Sequence, residues 1–175
     1  MKDTPISVAG IEIPSDTPLF LALISIHVLA ALVCVIAGVV AMLSRKQHGA
    51  HAKAGTTYFY GLLIVFITVI AITMIRWRED YHLFILGLAS FGLACTGRIA
   101  WRHKWKRWPY YHVTGMGLSY IILLTAFYVD NGRFLPIWKT FPVIVYWTLP
   151  AFIGVPVILY TLKTHPVVRA CKNRY

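Results

Sequence analysis

Residues 19 to 43 read LFLALISIHVLAALVCVIAGVVAML, and this stretch decides the fold. It contains no Asp, Glu, Lys or Arg, and its one histidine is His27. A helix needs about 20 apolar residues to cross a hydrocarbon core of about 30 Å. The stretch reaches that length and is too long for the apolar region of a signal peptide, so we expect the N-terminus to remain in the mature protein. The stretch therefore predicts a first transmembrane helix.

The whole chain has the composition of a membrane protein. Of its 175 residues, 58% are hydrophobic and 13% are charged, whereas about a quarter of the residues in soluble domains are charged. Short connections join five apolar stretches, at residues 19–43, 57–75, 83–100, 111–129 and 143–162. The expected fold is an all-α integral membrane bundle of five transmembrane helices over residues 19–162. An N-terminal segment of residues 1–18 precedes it, and a basic tail of residues 163–175 follows.

The charged residues are distributed unequally between the two sides of this bundle. The chain has 17 Lys and Arg against 6 Asp and Glu, a net charge of +11. All the acids fall on the side of the N-terminus: Asp3, Glu12, Asp16, Glu79, Asp80 and Asp130. Most cations fall on the other side: Arg45, Lys46, Lys53, Arg98, Arg102, Lys104, Lys106, Arg107, Lys163, Arg169, Lys172 and Arg174. The positive-inside rule therefore predicts an external N-terminus and a cytoplasmic C-terminus.

The cytoplasmic cations predict contact with anionic lipid headgroups, where each Lys or Arg contributes about 1 kcal/mol of attraction. Their densest stretch is RIAWRHKWKRWPYY, at residues 98–111, which interleaves cations with aromatic rings. Such a mixture can bind nucleic acid. Between two spans, however, it is typical of the interfacial belt in which indole and phenol rings lie at headgroup level. We therefore expect no nucleic acid partner.

Small residues recur at helical spacing in three spans and predict the faces that pack together, because membrane helices associate through close contact of such residues. The fifth span contains Pro150 and Pro156, which predict a kink. Three scattered cysteines predict free thiols rather than a disulfide framework. The predicted inward residues are His27, Ala31, Cys34, Gly38 and Ala41 in the first span, Gly87, Ser90, Ala94 and Gly97 in the third, and Gly115, Ser119 and Ala126 in the fourth.

His27 is the one strongly polar side chain deep in the predicted membrane. It lies about 12 Å below the outer edge, at 1.5 Å of rise per residue. Ionisable residues at such depth are candidates for function. His27 could act as a ligand or in proton transfer. Alternatively, it could be a neutral imidazole that hydrogen-bonds to a hydroxyl group of a neighbouring helix.

Further histidines cluster at the predicted cytoplasmic ends. If the second helix begins near Ala50, His51, Gly55 and Tyr58 share one face. His112, Gly115 and Ser119 share a face of the fourth span in the same way. Imidazoles at one depth could hold a metal ion, with His48 and His103 from the connections, or could ligate haem b from opposite sides. Glycine would let a macrocycle or a backbone approach. Alternatively, these histidines belong to the basic headgroup collar.

For haem, the better predicted pair is His51 with His112. His27 and His112 are displaced along the membrane normal by about 16 Å and cannot easily share one iron.

Three segments resemble a family of small predicted bacterial multi-span membrane proteins of unknown function. They are HVLAALVCVIAGVVAML (27–43), RKQHGAHAKAGTTYFYG (45–61) and HVTGMGLSYIILLTAFY (112–128). The resemblance implies a histidine-bearing bundle in the cell membrane, in bacteria the inner membrane, and it implies no reaction. The matching positions are His27, Gly38, Lys46, His51, Gly55, Tyr58, His112, Met116, Ser119, Tyr120, Thr125 and Ala126.

Three functions stay open at this point, and whether the protein is an enzyme is undecided. One is a membrane redox or metal protein with His51 and His112 as ligands and with Tyr58 and Ser119 as their hydrogen-bonding support. The second is a non-catalytic subunit or assembly factor that docks other membrane subunits. The third is proton or small-solute transport through His27. No phosphate-binding loop or Ser/His/Asp pattern appears, which excludes the common soluble catalytic classes.

Overall fold

The computed structural model describes residues 6–8, 11–13, 18–44 and 49–172, and it confirms the all-α fold. Within these residues, five helices are long and apolar enough to cross a bilayer. The chain is therefore a multi-pass helical membrane protein whose outer surface contacts lipid. The helices are α1 (Pro18–Leu43), α2 (Ala50–Ile75), α3 (Trp77–Arg102), α4 (Trp108–Asn131) and α5 (Val143–Thr164).

Shorter elements join or flank the five helices. Two antiparallel strands, β1 (Ile6–Val8) and β2 (Ile11–Ile13), lie in the N-terminal segment, with Ile6 opposite Ile13. Two 3₁₀ turns, Gly132–Phe134 and Trp138–Thr140, connect α4 to α5. A seven-residue helix, α6 (Pro166–Lys172), follows α5, so part of the predicted basic tail is helical.

The helices extend past the apolar stretches into polar sequence. Helix α2 begins at Ala50, as the shared face of His51 and Tyr58 requires, and Gly49 precedes it with a left-handed φ of 72°. The first turn of α3 carries Glu79 and Asp80, and both carboxylates pair with Arg76. Negative charge at this end is stabilised by the unpaired N–H groups of the first turn.

Residues 1–84 form one compact unit, in which α1 and α2 pack as an antiparallel pair. Cys34 and Gly38 of the predicted inward face are buried against this partner, whereas Ala31 and Ala41 are partly buried. From α2, Tyr58 and Leu62 fill the same core. A Cβ atom on Gly61 would lie 2.8 Å from the Cys34 sulfur, so glycine is needed at this crossing.

Residues 85–175 form the second compact unit, which contains most of α3 together with α4, α5 and α6. The predicted inward residues Ser90, Ala94 and Gly97 of α3 are buried, as are Gly115 and Ser119 of α4. Helix α5 packs on α4 and continues uninterrupted through both of its prolines. A Cβ atom on Gly117 would collide with Ile158, which shows how closely α4 and α5 approach.

Candidate functional site

His51 lies in the first turn of α2 and contacts the backbone of α1. Its Nδ1 atom is 2.8 Å from the Ala41 carbonyl oxygen, and the imidazole is partly buried. A carbonyl only accepts hydrogen bonds, so Nδ1 must carry the proton. In the neutral imidazole the lone pair then lies on Nε2, the nitrogen that commonly binds metals.

His112 has the same arrangement in the second unit. It is the fifth residue of α4, and its Nδ1 atom donates to the Gly97 carbonyl oxygen of α3 at 3.1 Å. The rings of Trp101 and Trp108 flank the imidazole, with centroids 6.5 and 6.4 Å from its own. This hydrogen bond again assigns the lone pair of the neutral ring to Nε2.

The two glycines near these histidines differ in their surroundings. A Cβ atom on Gly55, one turn after His51, would have no heavy atom within 4 Å. A Cβ atom on Gly115, one turn after His112, would lie 2.7 Å from the Leu93 carbonyl oxygen and 2.9 Å from the Gly97 nitrogen. Glycine was predicted to allow the approach of either a macrocycle or a backbone. Gly115 allows the backbone of α3 to approach, whereas Gly55 has open space beside its helix.

The other predicted site residues lie in different settings. Tyr58 is buried, and its carbonyl oxygen accepts a hydrogen bond from the Cys34 thiol at 3.6 Å. Ser119 is buried too, and its carbonyl oxygen accepts the hydroxyl proton of Ser90 at 2.9 Å. His103 is exposed in the connection after α3, and His48 lies outside the described residues. No group of three or more metal-binding side chains occurs within the described part of the chain.

His27 hydrogen-bonds to a hydroxyl group of the neighbouring helix. Its Nδ1 atom is 2.8 Å from Oγ1 of Thr68 on α2. The Thr68 hydroxyl also lies 2.8 Å from the Ile64 carbonyl oxygen, to which it can give its single proton, and it then accepts from the imidazole. This is the contact expected of a structural His27. The sequence alone does not indicate Thr68 as the partner of His27, although Thr68 and Thr73 are the only serine or threonine residues in the second half of α2.

The connection between α3 and α4 holds two cations in left-handed backbone conformations. Helix α3 ends with Trp105 N–H bonded to the Ala100 carbonyl and Lys104 N–H to the Trp101 carbonyl, and Lys104 has a φ of 49°. This is the Schellman arrangement, in which glycine usually takes the left-handed position. Arg107 precedes α4 with a φ of 60°. Left-handed conformations cost a non-glycine residue about 1–2 kcal/mol each.

Lys104 packs against aromatic rings in spite of its exposed location. Its Nζ atom lies 4.5 Å from the centroid of the Trp108 ring and 5.3 Å from that of Trp101. Both separations are within the range of a cation–π interaction. The ring of Trp105 meets Tyr111 edge-on at 5.8 Å. Within the predicted interfacial belt, Lys104 thus contacts two indole rings, and a third indole contacts a tyrosine.

The structure and the comparisons together define the class of the protein without naming its family. Five candidate spans make it a polytopic helical membrane protein. Comparison of the chain with protein-family models, with curated proteins and with solved structures finds no match, and no family is identified.

Proposed function

We propose that this protein binds haem b or a metal ion through His51 and His112 and serves a redox role in the membrane. One observation supports the proposal above all. Each imidazole donates Nδ1–H to a backbone carbonyl of the adjoining helix, at 2.8 Å for His51 and 3.1 Å for His112. Histidines that bind metals donate their other ring N–H in this way, which fixes the tautomer and the orientation of the ring.

The residues fit haem better than they fit a bare metal ion. His51 and His112 would hold haem through their Nε2 atoms, and the bound haem would supply one-electron chemistry. A metal ion alone would need further donors, for which His48 and His103 are the candidates. A Cβ atom on Gly55 would meet no heavy atom within 4 Å, so this glycine does not obstruct a group bound next to His51. Tyr58 and Ser119, two turns along the same helices, are assigned supporting roles. In this proposal both histidines face the cytoplasmic side, as the cation distribution predicts.

The decisive experiment separates the ligand role of each histidine from its packing role. In His51→Asn and His112→Asn, the amide nitrogen can replace Nδ1–H as donor to the carbonyl, but Nε2 is lost. We expect purified wild-type protein, produced with haem and metals available, to show a Soret band or stoichiometric metal. Each Asn variant should lose this signal, while its thermal unfolding stays close to that of wild-type protein prepared without the cofactor.

The control is His82→Ala. His82 lies near the N-terminal end of α3, which is the end predicted to face away from the cytoplasm. This variant should keep the cofactor signal. Wild-type protein that is colourless and free of metal would refute the proposal. If that protein also co-purified with a larger membrane complex, the subunit function would be favoured instead.

A further inference from the structure

A groove lies at the end of the second unit where α3 ends, α4 begins and α6 packs against both α4 and α5. We call it the loop–α6 groove. It is a partly open groove with a volume of about 420 Å³. Its walls include Lys104, Trp105, Arg107, Trp108, Val167 and Cys171.

The groove carries positive charge without an internal counterion. Lys104 and Arg107 line it, and among the described residues neither pairs with a carboxylate. Asp130 is the single Asp or Glu in residues 85–175. It lies at the other end of α4, about 33 Å from Trp108 along the helix. No Asp or Glu of the described part of this unit therefore lies near these cations, and the groove suits an anion supplied from outside it.

Both cations have constrained backbone conformations, and the ammonium group of Lys104 is held by aromatic rings as well. Lys104 occupies the left-handed position at the end of α3, where glycine would be less strained, and Arg107 occupies a second left-handed position. The rings of Trp101 and Trp108 hold the Lys104 ammonium group. Strained backbone conformations concentrate at ligand-binding sites, because the surrounding structure must hold them in place. Here both strained residues are cations that line the same groove.

The remaining wall is apolar and selects the source of the anion. Free phosphate would make no apolar contact with Trp105, Trp108 and Val167. The glycerol and first acyl carbons of a lipid would cover these side chains. The groove also lies at the ends of three candidate spans, which is the depth of the headgroups. Basic pockets at such ends of membrane helices bind anionic headgroups.

We propose that the loop–α6 groove binds one anionic phospholipid, with Lys104 and Arg107 contacting its phosphate and the tryptophan wall contacting its glycerol region. This inference does not rest on the proposed cofactor function. Each cation near an anionic lipid favours binding by a factor of about five, so two should give a preference of about 25-fold over a zwitterionic lipid.

Cys171 provides a native reporter, because its side chain lines the groove and is partly exposed. The rate of its modification by N-ethylmaleimide is measured by mass spectrometry of the peptide that contains it. The protein is reconstituted in phosphatidylcholine vesicles with and without about 30% phosphatidylglycerol, a fraction at which the surface is clearly anionic. Bound anionic lipid should slow the modification severalfold.

The test variant is Lys104→Asn with Arg107→Asn, because asparagine tolerates the left-handed conformation and removes the charge. It should lose the protection. The matched control is Lys163→Gln, an exposed cation near the end of α5 that does not line the groove, and it should keep the protection. Equal protection in the double variant would overturn the proposal. Equal protection of wild type by inorganic phosphate in phosphatidylcholine vesicles would assign the groove to a free anion and overturn it too.

A second measurement needs no variant. Native mass spectrometry of wild-type protein, released from a mixture of the two lipids, should show one retained phosphatidylglycerol in preference to phosphatidylcholine. Retention in proportion to the mixture would overturn the proposal.

Discussion

The crossing of α3 and α4 at Gly115 yields a quantitative prediction for Gly115→Ala. The new methyl group would lie 2.7 Å from the Leu93 carbonyl oxygen and 3.0 Å from the Gly97 Cα atom. These neighbours are backbone atoms and cannot rotate away. Ordinary contact begins at 3.4 Å, so the helices must separate by about 0.7 Å at this point.

Three contributions determine how much Gly115→Ala changes the free energy of unfolding. Overpacking a close contact costs about 1–3 kcal/mol. The separation also strains two hydrogen bonds, one from Ser90 to the Ser119 carbonyl and one from His112 to the Gly97 carbonyl. At about 0.6 kcal/mol each, their loss adds about 1 kcal/mol. Alanine stabilises the helix by about 1 kcal/mol relative to glycine. We therefore expect a net loss of about 1–3 kcal/mol in the free energy of unfolding.

The assay is reversible unfolding in mixed detergent micelles, followed by tryptophan fluorescence. Gly92→Ala is the matched control, because Gly92 lies on α3 and a Cβ atom there would have no heavy atom within 4 Å. It should be as stable as wild type or up to about 1 kcal/mol more stable. Gly97→Ala should fall between the two, since its closest neighbour would be the Met116 nitrogen at 3.1 Å. The reasoning is refuted if Gly115→Ala and Gly92→Ala unfold alike.

Three further predictions concern single contacts, each measured by the same unfolding assay. Gly61→Ala should lose about 1–2 kcal/mol by pressing on the Cys34 sulfur, and the loss should shrink in a Cys34→Ala background. Thr68→Val should lose about 0.6–1.7 kcal/mol, because the isosteric side chain cannot accept the His27 hydrogen bond. Arg107→Gly should gain about 1 kcal/mol, because glycine takes a φ of 60° without strain.

Each of these predictions has a contrasting outcome. An undiminished loss in the Cys34→Ala background would show that Gly61 contacts something other than the sulfur. Thr73→Val removes a hydroxyl that bonds only within its own helix, so a loss equal to that of Thr68→Val would contradict the His27 contact. Arg102→Gly, in the last turn of α3, should lose about 1 kcal/mol, and a similar loss in Arg107→Gly would rule out strain relief.

The number of helices and their inward faces could be predicted from the sequence, because both depend on side-chain polarity. Hydropathy locates where side chains avoid water, and the small residues at Ser90, Ala94 and Gly97 mark where a backbone must approach. The helix ends were predicted less well. Residues 50–56 and 77–82 are polar yet helical, because the backbone can continue its hydrogen bonds into the headgroup region.

The candidate site could be predicted only as a set of residue types. His51 and His112 bond to carbonyl oxygens, which every residue possesses, so no sequence pattern indicates that Ala41 and Gly97 are the partners. The loop–α6 groove could not be predicted from the sequence either. Left-handed residues are recognised in sequence by Gly or Asn, and here the positions hold Lys104 and Arg107.

The pairing of α1 with α2 has a consequence for how the chain can change in length. Contacts join His27 to Thr68, Cys34 to Tyr58 and Ala41 to His51, so the two helices are matched at three levels. One residue inserted at any of positions 28–33 would turn the rest of α1 by about 100° and shift it by about 1.5 Å. Cys34 and Ala41 would then miss their partners together. A single substitution removes one contact between α1 and α2. An insertion or deletion between His27 and Ala41 should disrupt several of these contacts together.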